Sequence, residues 1–472
     1  MNCLNQKKQP VRCLFGTDGV RDVANRGLLT PEMVLRLGRA YVMHLIGKGY
    51  SRPAVAVGRD TRRSGEMLEA ALAAGMTSAG AEVISLGVAP TPGVSFAAKE
   101  LKCQGGAVIS ASHNPAEYNG VKFLDGNGCK LSDAEEAAIE DAFGDTLVDD
   151  WRPTGASIGR VRGIENAMEP YSAWLERMIA PEKMMRSMNV CMDCAQGAAF
   201  RVAPGIFRNC LKSVETIGVE PDGLNINEGF GVMSMEGLSQ RVVEGGFDCG
   251  LAFDGDADRV LFTDGKGRIL DGDIMLWVLG RWMHGNGKLG SGVVATIMSN
   301  MALEEHLAKE GIKVFRCPVG DRYVLESMKR SRCGLGGEQS GHIIASGFAA
   351  TGDGPCTALL FLKACEDLGE DMNSLVDRFS RYPQILRNVP VTDKQFVLGS
   401  RRVTEAVEKA ETCLEGVGRI VLRPSGTEPL VRILVEARDR SLLEKTVRFT
   451  EDAINEACTE LKAAGGDVHA VR

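Results

Sequence analysis

The chain has 472 residues, and 55 lysines and arginines stand against 62 aspartates and glutamates, so its formal net charge is −7. Such a length exceeds one hydrophobic core and predicts about three or four domains of ordinary size. A mildly acidic chain is a poor candidate for a nucleic-acid binder, which needs basic surface, while 44% hydrophobic and 25% charged residues are typical of a globular protein.

The first two thirds of the chain alternate between helical and strand patterns. Hydrophobic spacing predicts helices over 31–45 and 64–80. Short apolar runs predict strands over 53–57, 81–86, 106–109, 188–192, 247–253 and 292–298. Strands that alternate with helices are typical of α/β layers that contain parallel strands.

Beyond residue 380 the pattern changes to two paired strands, 419–422 and 430–437, and an amphipathic helix over 441–461. We therefore predict three consecutive α/β domains with mixed sheets and a smaller α+β C-terminal domain, arranged around a central cleft. The predicted domains are 1–152, 153–254, 255–372 and 380–465.

The fourteen cysteines are scattered, which favours buried thiols in a reducing compartment over a disulfide framework. The one CxxC motif, Cys191 to Cys194, lacks the second ligand pair that structural zinc needs. The N-terminal residues lack the apolar core of a signal peptide, and the least charged stretch, 83–98, is too short to span a bilayer. We expect a cytoplasmic chain with no membrane partner.

Four polar, glycine-bearing clusters interrupt this pattern, one in each predicted domain. The first is Ile109-Ser-Ala-Ser-His-Asn-Pro115, directly after a strand. Asn114-Pro115 favours a turn, which would place Ser112 and His113 at an exposed strand end. From these residues alone, Ser112 is either a nucleophile or a loop hydrogen-bonding residue.

The second cluster is Phe253-Asp-Gly-Asp-Ala-Asp-Arg259. Carboxylates on Asp254, Asp256 and Asp258 repel one another unless a cation gathers them, and hard oxygen ligands favour Mg²⁺ or Ca²⁺. An EF-hand would need glycine at the sixth and glutamate at the twelfth loop position, and neither is present. A metal loop and a solvated acidic turn remain as the two interpretations.

The third cluster is Gly336-Gly-Glu-Gln-Ser-Gly-His342. Glu338, Ser340 and His342 alternate, so an extended strand would present all three on one side. Such a set suits the hydroxyl groups of a sugar, although a polar strand face would show the same pattern.

The fourth cluster is Arg423-Pro-Ser-Gly-Thr-Glu-Pro-Leu-Val-Arg432. This cluster is a plausible phosphate site. Hydroxyls and loop amides come from Ser425, Gly426 and Thr427, and Arg423 supplies a bidentate guanidinium. An ordinary hairpin loop is the alternative. Neither a GxxxxGK[ST] loop nor a GxGxxG strand–helix junction is evident, which disfavours an NTPase or an NAD enzyme.

Taken together and in this order, the four clusters resemble the α-D-phosphohexomutase family, whose domains carry a phosphoserine loop, a metal loop, a sugar loop and a phosphate loop. The resemblance covers nearly the whole chain. The resemblance is strongest to the family members that act on glucosamine phosphate. It rests there on segments 15–21, 221–227 and 319–326 and on Gln339 in the sugar loop. Asp22 and the segment 228–232 depart from the family pattern.

The resemblance implies reversible conversion of glucosamine 6-phosphate to glucosamine 1-phosphate through a 1,6-bisphosphate, in amino-sugar synthesis for the cell wall. It implies a phosphorylated Ser112, one Mg²⁺ held by that group and the three aspartates, and supporting charge from Arg259. The implied catalytic residues are Ser112, His113, Lys122 (as general base or charge partner) and Arg21. The implied substrate-binding residues are Glu338, Ser340, His342, Asp321, Arg322, Arg423, Ser425, Gly426, Thr427 and Arg432.

The expected partner is a small-molecule sugar phosphate, and a homodimer is compatible with this interpretation. Phosphomannomutase or phosphoglucomutase activity is the alternative within the family. A sugar phosphatase and a catalytically silent sugar-phosphate sensor are the alternatives outside it.

Overall fold

The computed structural model describes residues 14–16, 18–179, 185–425 and 429–463. These residues form two compact units. The larger unit contains residues up to 296 together with 310–378, and the smaller contains 297–309 together with residues from 379 onward.

The first sheet of the larger unit has six strands in the order β1-β5-β4-β2-β3-β6. Its strands are β1 (Val20–Val23), β2 (Ala54–Arg59), β3 (Glu82–Val88), β4 (Gly105–Ile109), β5 (Tyr118–Asp125) and β6 (Val161–Gly163). The helices of this region are α1 (Pro31–Gly47), α2 (Ser64–Ser78), α3 (Thr91–Glu100), α4 (Asp133–Gly144), α5 (Leu147–Asp150) and α6 (Glu169–Ile179). The central pairs are parallel, whereas β5 runs antiparallel to both β4 and β1.

The second sheet has the order β11-β10-β9-β7-β8. Its strands are β7 (Asn189–Asp193), β8 (Ser213–Ile217), β9 (Cys249–Phe253), β10 (Val260–Asp264) and β11 (Ile269–Leu270), with helices α7 (Ala203–Cys210) and α8 (Met235–Gly245). Strand β9 is buried along its whole length and pairs parallel with β7 and antiparallel with β10. The turn between β9 and β10 contains the three aspartates of the second cluster.

The third sheet has the order β13-β12-β14-β15. Its strands are β12 (Val293–Thr296), β13 (Val314–Cys317), β14 (Leu335–Gly337) and β15 (Ile343–Ala345), with helices α9 (Gly272–Gly285), α11 (Asp321–Ser331), α12 (Gly354–Leu368) and α13 (Met372–Arg378). Between β12 and β13 the chain forms α10 (Met301–Lys309), which belongs to the smaller unit.

The smaller unit contains an antiparallel three-stranded sheet in the order β16-β18-β17. Its elements are β16 (Gln384–Pro390), α14 (Lys394–Gly399), α15 (Arg401–Leu414), β17 (Gly418–Pro424), β18 (Leu430–Ala437) and α16 (Arg440–Ala463). Helix α10 is joined to this sheet by polar contacts: the Asn300 amide donates to the Tyr382 carbonyl at 3.1 Å, and the Met301 N–H donates to the Glu436 carboxylate at 3.2 Å.

The predicted fold class is confirmed, since three mixed α/β sheets precede a smaller α+β unit. Most predicted elements lie within two or three residues of the observed bounds because their apolar periodicity matches their burial.

In the described part of the chain, no helix combines the length and apolarity needed to cross a bilayer. All twelve cysteines there are free and nine are buried, and burial raises the pKa of the Cys191 thiol to about 12.

Candidate active site

Ser112 lies directly after β4, the fully buried strand at the middle of the first sheet. Its backbone adopts φ 53°, the left-handed region that non-glycine residues seldom occupy, and the whole residue is buried. The Ser112 N–H donates to the Ser110 hydroxyl at 2.9 Å. The turn predicted at Asn114-Pro115 is therefore accompanied by an unusual conformation at the serine itself, which is a recurrent feature of functional sites.

The three aspartates occupy the turn that connects β9 to β10. Ala257 has φ 56°, and its N–H donates to the Asp254 carbonyl at 3.0 Å. At Gly255 a Cβ atom would lie 2.5 Å from the Ser112 carbonyl oxygen, so a glycine allows this turn to pack against the Ser112 loop.

Ser112 and the aspartate turn are in direct contact, because the Ser112 hydroxyl donates to Asp254 Oδ2 at 2.5 Å. One carboxylate oxygen from each of Asp254, Asp256 and Asp258 lies within 4.8 Å of the others, and all three residues are buried. Burial, together with the charges of the other two aspartates, raises the pKa of Asp254 well above its usual range.

The donor set of this cluster fits Mg²⁺. The cluster offers one hard carboxylate oxygen from each of the three aspartates, and Mg²⁺ prefers such ligands. Asp256 Oδ1 is buried and accepts no hydrogen bond within the described residues, and leaving such an atom unpaired is costly. A cation bound by the three carboxylates would satisfy this oxygen and relieve their mutual repulsion.

Lys122 supplies positive charge to the cluster from β5. Its Nζ lies 2.9 Å from Asp18, 2.9 Å from Asp256 and 3.6 Å from Asp258. Although burial alone would lower it, these carboxylates raise the pKa of Lys122. In this arrangement Lys122 is an ammonium ion that forms ion pairs with these aspartates.

Asp18 connects the first sequence motif to the same cluster. It forms ion pairs with Arg21, Lys122 and Lys130. Although burial opposes it, the charges of these cations hold the pKa of Asp18 well below its usual range. Arg21, a predicted catalytic residue, thus lies at the edge of the cluster through its pairing with Asp18.

His113 and Arg259 flank the Ser112–Asp254 contact. His113 Nδ1 lies 3.4 Å from the Ser112 hydroxyl. Burial and the guanidinium groups of Arg259 and Arg21 lower the pKa of His113 to about 4. His113 is therefore neutral near pH 7, whereas Arg259 Nε, 3.8 Å from Asp258, retains its charge beside the cluster.

The predicted extended strand over Glu338, Ser340 and His342 is wrong. Strand β14 ends at Gly337, and the Glu338 N–H donates to the His342 carbonyl at 3.0 Å across a tight turn. Gly341 makes this reversal possible with φ +90°, where a Cβ would lie 2.2 Å from the Val260 carbonyl.

The turn separates the three side chains. Glu338 Oε1 accepts from the Gly320 N–H at 3.0 Å, while Ser340 is exposed. His342 is buried between Asp258 at 3.5 Å and Asp321 at 3.6 Å, and these carboxylates raise the pKa of His342 although burial opposes the shift. His342 thus contacts the aspartate cluster through Asp258, whereas Ser340 lies at the exposed edge of the turn.

The two predicted substrate residues Asp321 and Arg322, at the start of α11, are engaged in ion pairs. Asp321 pairs with Lys130. The Arg322 guanidinium pairs with Asp133 and, at 2.8 Å, with Glu136. These pairs connect the third sheet region to the first.

In the smaller unit, Arg423 and Arg432 are direct cross-strand partners on β17 and β18, which places their side chains on the same face of the sheet. Ser425 follows β17, and its N–H donates to the Leu430 carbonyl at 2.9 Å. Lys394, which was not predicted, donates to the Ser425 carbonyl at 2.8 Å. Gly426 and Thr427 lie outside the described residues.

Two residues of the larger unit's cluster were also not predicted from the sequence. Asp18 is one, and Thr91 is the other: its hydroxyl donates to Asp256 Oδ2 at 2.6 Å and its N–H donates to the Asp256 carbonyl at 2.9 Å. The prolines around Thr91 predict a helix start but not this long-range contact.

The departure at Asp22 has a local explanation. Its carboxylate accepts from the backbone N–H groups of Val23 at 2.7 Å and Leu28 at 3.0 Å. Asp22 therefore closes the turn that follows β1, and it makes no contact with the aspartate cluster in the described hydrogen bonds.

Comparison with known proteins identifies three family models in the chain. They are described as phosphoglucomutase/phosphomannomutase alpha/beta/alpha domain I over residues 12–147, alpha/beta/alpha domain III over 271–382, and the C-terminal domain over 386–453.

Among curated relatives, phosphoglucosamine mutase of Carboxydothermus hydrogenoformans is 46% identical over 92% of this chain and 97% of its own length. The phosphoglucosamine mutase of Bacillus velezensis is 43% identical over 93% of this chain and 98% of its own length.

Solved structures share the fold at low identity. A phosphoglucomutase/phosphomannomutase family protein of Burkholderia thailandensis superposes with a TM-score of 0.76 at 21% identity, covering 96% of this chain and 98% of its own. N-acetylphosphoglucosamine mutase of Aspergillus fumigatus, in complex with GlcNAc-6P and magnesium, gives 0.64 at 17% identity, covering 94% and 96%.

Proposed function

Because the chain belongs to the phosphoglucomutase/phosphomannomutase family, we propose that it interconverts glucosamine 6-phosphate and glucosamine 1-phosphate. The relatives' shared activity over more than nine-tenths of the chain supports this substrate. The observation that carries the proposal is the 2.5 Å contact between the buried Ser112 hydroxyl and the buried aspartate cluster. It unites a phosphoryl acceptor with a cation site.

In the proposed reaction Ser112 carries the phosphoryl group. Its Oγ–P bond breaks while a sugar hydroxyl oxygen bonds to the same phosphorus, so the sugar becomes a 1,6-bisphosphate. The sugar hydroxyl loses a proton and Ser112 Oγ gains one. After the bisphosphate reverses its orientation, Ser112 Oγ attacks the other phosphate and the phosphoserine is restored.

Asp254, Asp256, Asp258 and the Ser112 phosphate would hold one Mg²⁺. When bound, this ion would neutralise negative charge on the transferring phosphoryl group. The surrounding residues of the chain then do the positioning, on which phosphoryl transfer chiefly depends.

Lys122, Arg259 and Arg21 bring fixed positive charge to the place where the phosphoryl group moves. We propose that Lys122 is a proton donor and a charge partner as long as it contacts Asp18 and Asp256. A role as general base would require these carboxylates to be neutralised by another cation, since they hold the proton on its amine. His113, neutral near pH 7, is proposed to hydrogen-bond the serine phosphate.

Substrate binding is proposed for three further groups. Glu338 and Ser340 would bind ring hydroxyls, and His342, Asp321 and Arg322 would support that loop through their ion pairs. In the smaller unit Arg423, Arg432, Ser425, Gly426 and Thr427 would bind a phosphate, for which a pair of adjacent guanidinium groups is well suited. A cytoplasmic location and a homodimer remain predictions that accompany this proposal.

Turnover of glucosamine, glucose and mannose phosphates, with a trace of the matching bisphosphate, tests the proposal directly. We expect the glucosamine phosphates to be preferred and little free phosphate to be released; net phosphate release would indicate a phosphatase instead. Intact mass should show roughly 80 Da of added phosphate, mapped to Ser112. Ser112→Ala should abolish both the turnover and the added mass; full activity of this variant would refute the proposal.

A further inference from the structure

Two carbonyl oxygens of the loop after β4 accept hydrogen bonds from the same two side chains. Arg62 Nη2 donates to the carbonyls of Ser112 at 3.0 Å and Asn114 at 2.8 Å. Asn227 Nδ2 donates to the same carbonyls at 2.9 and 3.1 Å. Arg62 comes from the first sheet region and Asn227 from the second, so residues far apart in sequence converge on two backbone atoms.

Arg62 is only 1% exposed, and a buried guanidinium is costly unless its donors are satisfied. Its Nε donates to Asp60 Oδ2 at 2.9 Å. Its remaining donors reach the loop: Nη1 bonds the Tyr118 carbonyl at 2.9 Å and the Pro115 carbonyl as well. Asp60 alone would balance the charge, whereas the contacts with four loop carbonyls mean that Arg62 also determines the shape of this loop.

The same network holds the other side of Ser112. The Ser110 hydroxyl donates to Asp60 Oδ2 at 2.6 Å and accepts from the Ser112 N–H at 2.9 Å. The N–H and the C=O of Ser112 are therefore both held while its backbone occupies the left-handed region at φ 53°. Such a conformation costs free energy, so it persists only where surrounding contacts determine it.

We propose that Arg62 and Asn227 are positioning residues that hold the Ser112 backbone so that its Oγ stays at the aspartate cluster. This inference rests on the proposed phosphoserine role of Ser112. Neither side chain contacts the three aspartates in the described hydrogen bonds, so their action passes through the two shared carbonyls. Loosening these hydrogen bonds should misplace the reacting oxygen and leave sugar-phosphate binding intact.

The test compares Asn227→Asp with a matched control in the same loop, Asn225→Asp. Asn227→Asp keeps the side chain's size and the tolerance for its φ of 62°, but it places an oxygen against two carbonyls. The Asn225 side chain accepts from the Asp222 N–H and donates to the Glu220 carbonyl, both in its own turn. We expect kcat of Asn227→Asp to fall about 100-fold, the size of effect that misplacement by 1 Å produces, with KM unchanged and with Asn225→Asp near wild type.

A second readout separates positioning from general destabilisation. The ³¹P resonance of the phosphorylated protein reports the surroundings of the phosphoserine, and we expect it to shift in Asn227→Asp but not in Asn225→Asp. Arg62→Lys, which keeps the charge beside Asp60 but loses the planar fork, should give the same shift and the same loss of kcat. It also serves as the test if Asn227→Asp does not fold.

Wild-type kcat in the folded Asn227→Asp and Arg62→Lys variants, or an unshifted ³¹P resonance, would overturn the positioning role. An equal loss in Asn225→Asp would overturn it too, because the effect would then belong to the loop in general. These results are distinct from failure of the proposed function, in which wild-type protein itself would carry no phosphate on Ser112.

Discussion

Lys122 is expected to weaken the binding of the very cation that the neighbouring aspartates would hold. Its ammonium lies 2.9 Å from Asp256 and 3.6 Å from Asp258, so in the metal-free protein it balances charge that Mg²⁺ would otherwise neutralise. Replacing Lys122 with methionine removes this competition and keeps a similar volume. Lys122→Met should therefore bind Mg²⁺ more tightly while its turnover falls.

Coulomb's law gives the minimum size of the effect. At 2.9 Å, even the dielectric constant of water makes the attraction between Lys122 and Asp256 worth about 1.4 kcal/mol, and a buried pair is worth more. A free-energy change of that size is a factor of about ten in a binding constant. We therefore expect Mg²⁺ affinity to rise at least about tenfold in Lys122→Met.

Isothermal titration with Mg²⁺ measures this affinity. The matched control is Lys130→Met, which removes a partly buried lysine that forms ion pairs with Asp18 and Asp321 and not with the three aspartates. The control should bind Mg²⁺ nearly as the wild type does. If Lys122→Met binds Mg²⁺ no better than Lys130→Met, Lys122 does not compete with the cation for the aspartates.

Three further outcomes follow from the structure. Asp256→Asn removes a charged ligand and should weaken Mg²⁺ binding and slow phosphoryl transfer by orders of magnitude without unfolding the chain; wild-type activity at limiting Mg²⁺ would contradict it. Arg423→Lys loses the bidentate fork and should raise KM, lower kcat and raise the bisphosphate concentration needed for half-maximal activity; an unchanged half-saturation point would argue against phosphate binding there. Burial raises the pKa of Asp353 from 3.8 to about 7, so the folded state binds more protons than the unfolded state and loses stability as pH rises through that window, by at most about 4 kcal/mol. Asp353→Asn should remove that loss, and its thermal midpoint relative to wild type should increase from pH 4 to pH 8; a constant difference would refute this.

Ser112 and the three aspartates, for which the sequence predicts a role in the reaction, follow strand ends in the larger unit. Ser112 after β4 and the aspartates after β9 stand where apolar runs stop and glycine or proline begins, which is a local signal. Their contact with each other required the resemblance to a family, since spacing alone does not bring positions 112 and 254 together.

Other contacts carry no local signal. Asp60 and Ser110 meet because β2 and β4 are parallel neighbours, and Arg62 reaches four carbonyls only once that pairing exists. The error at Glu338 to His342 has a different origin. Polar residues alternate both in strands and in tight turns, so the pattern does not distinguish the two. The left-handed backbone of Gly341 favours the turn.

Helix α10 has a consequence for how the chain folds during synthesis. Its buried residues Ala302, Leu303 and Leu307 belong to a unit whose strands β16 to β18 are translated much later. At 5–20 residues per second, the roughly 130 residues between α10 and the end of β18 take on the order of ten seconds. During this interval β12 and β13 can already pair with each other. The segment between them, which contains α10, still lacks the strands it packs against, so the apolar face of α10 remains exposed to chaperones. A stop codon before residue 379 would make that exposure permanent, so truncated chains should be cleared by proteolysis rather than accumulate as a stable fragment.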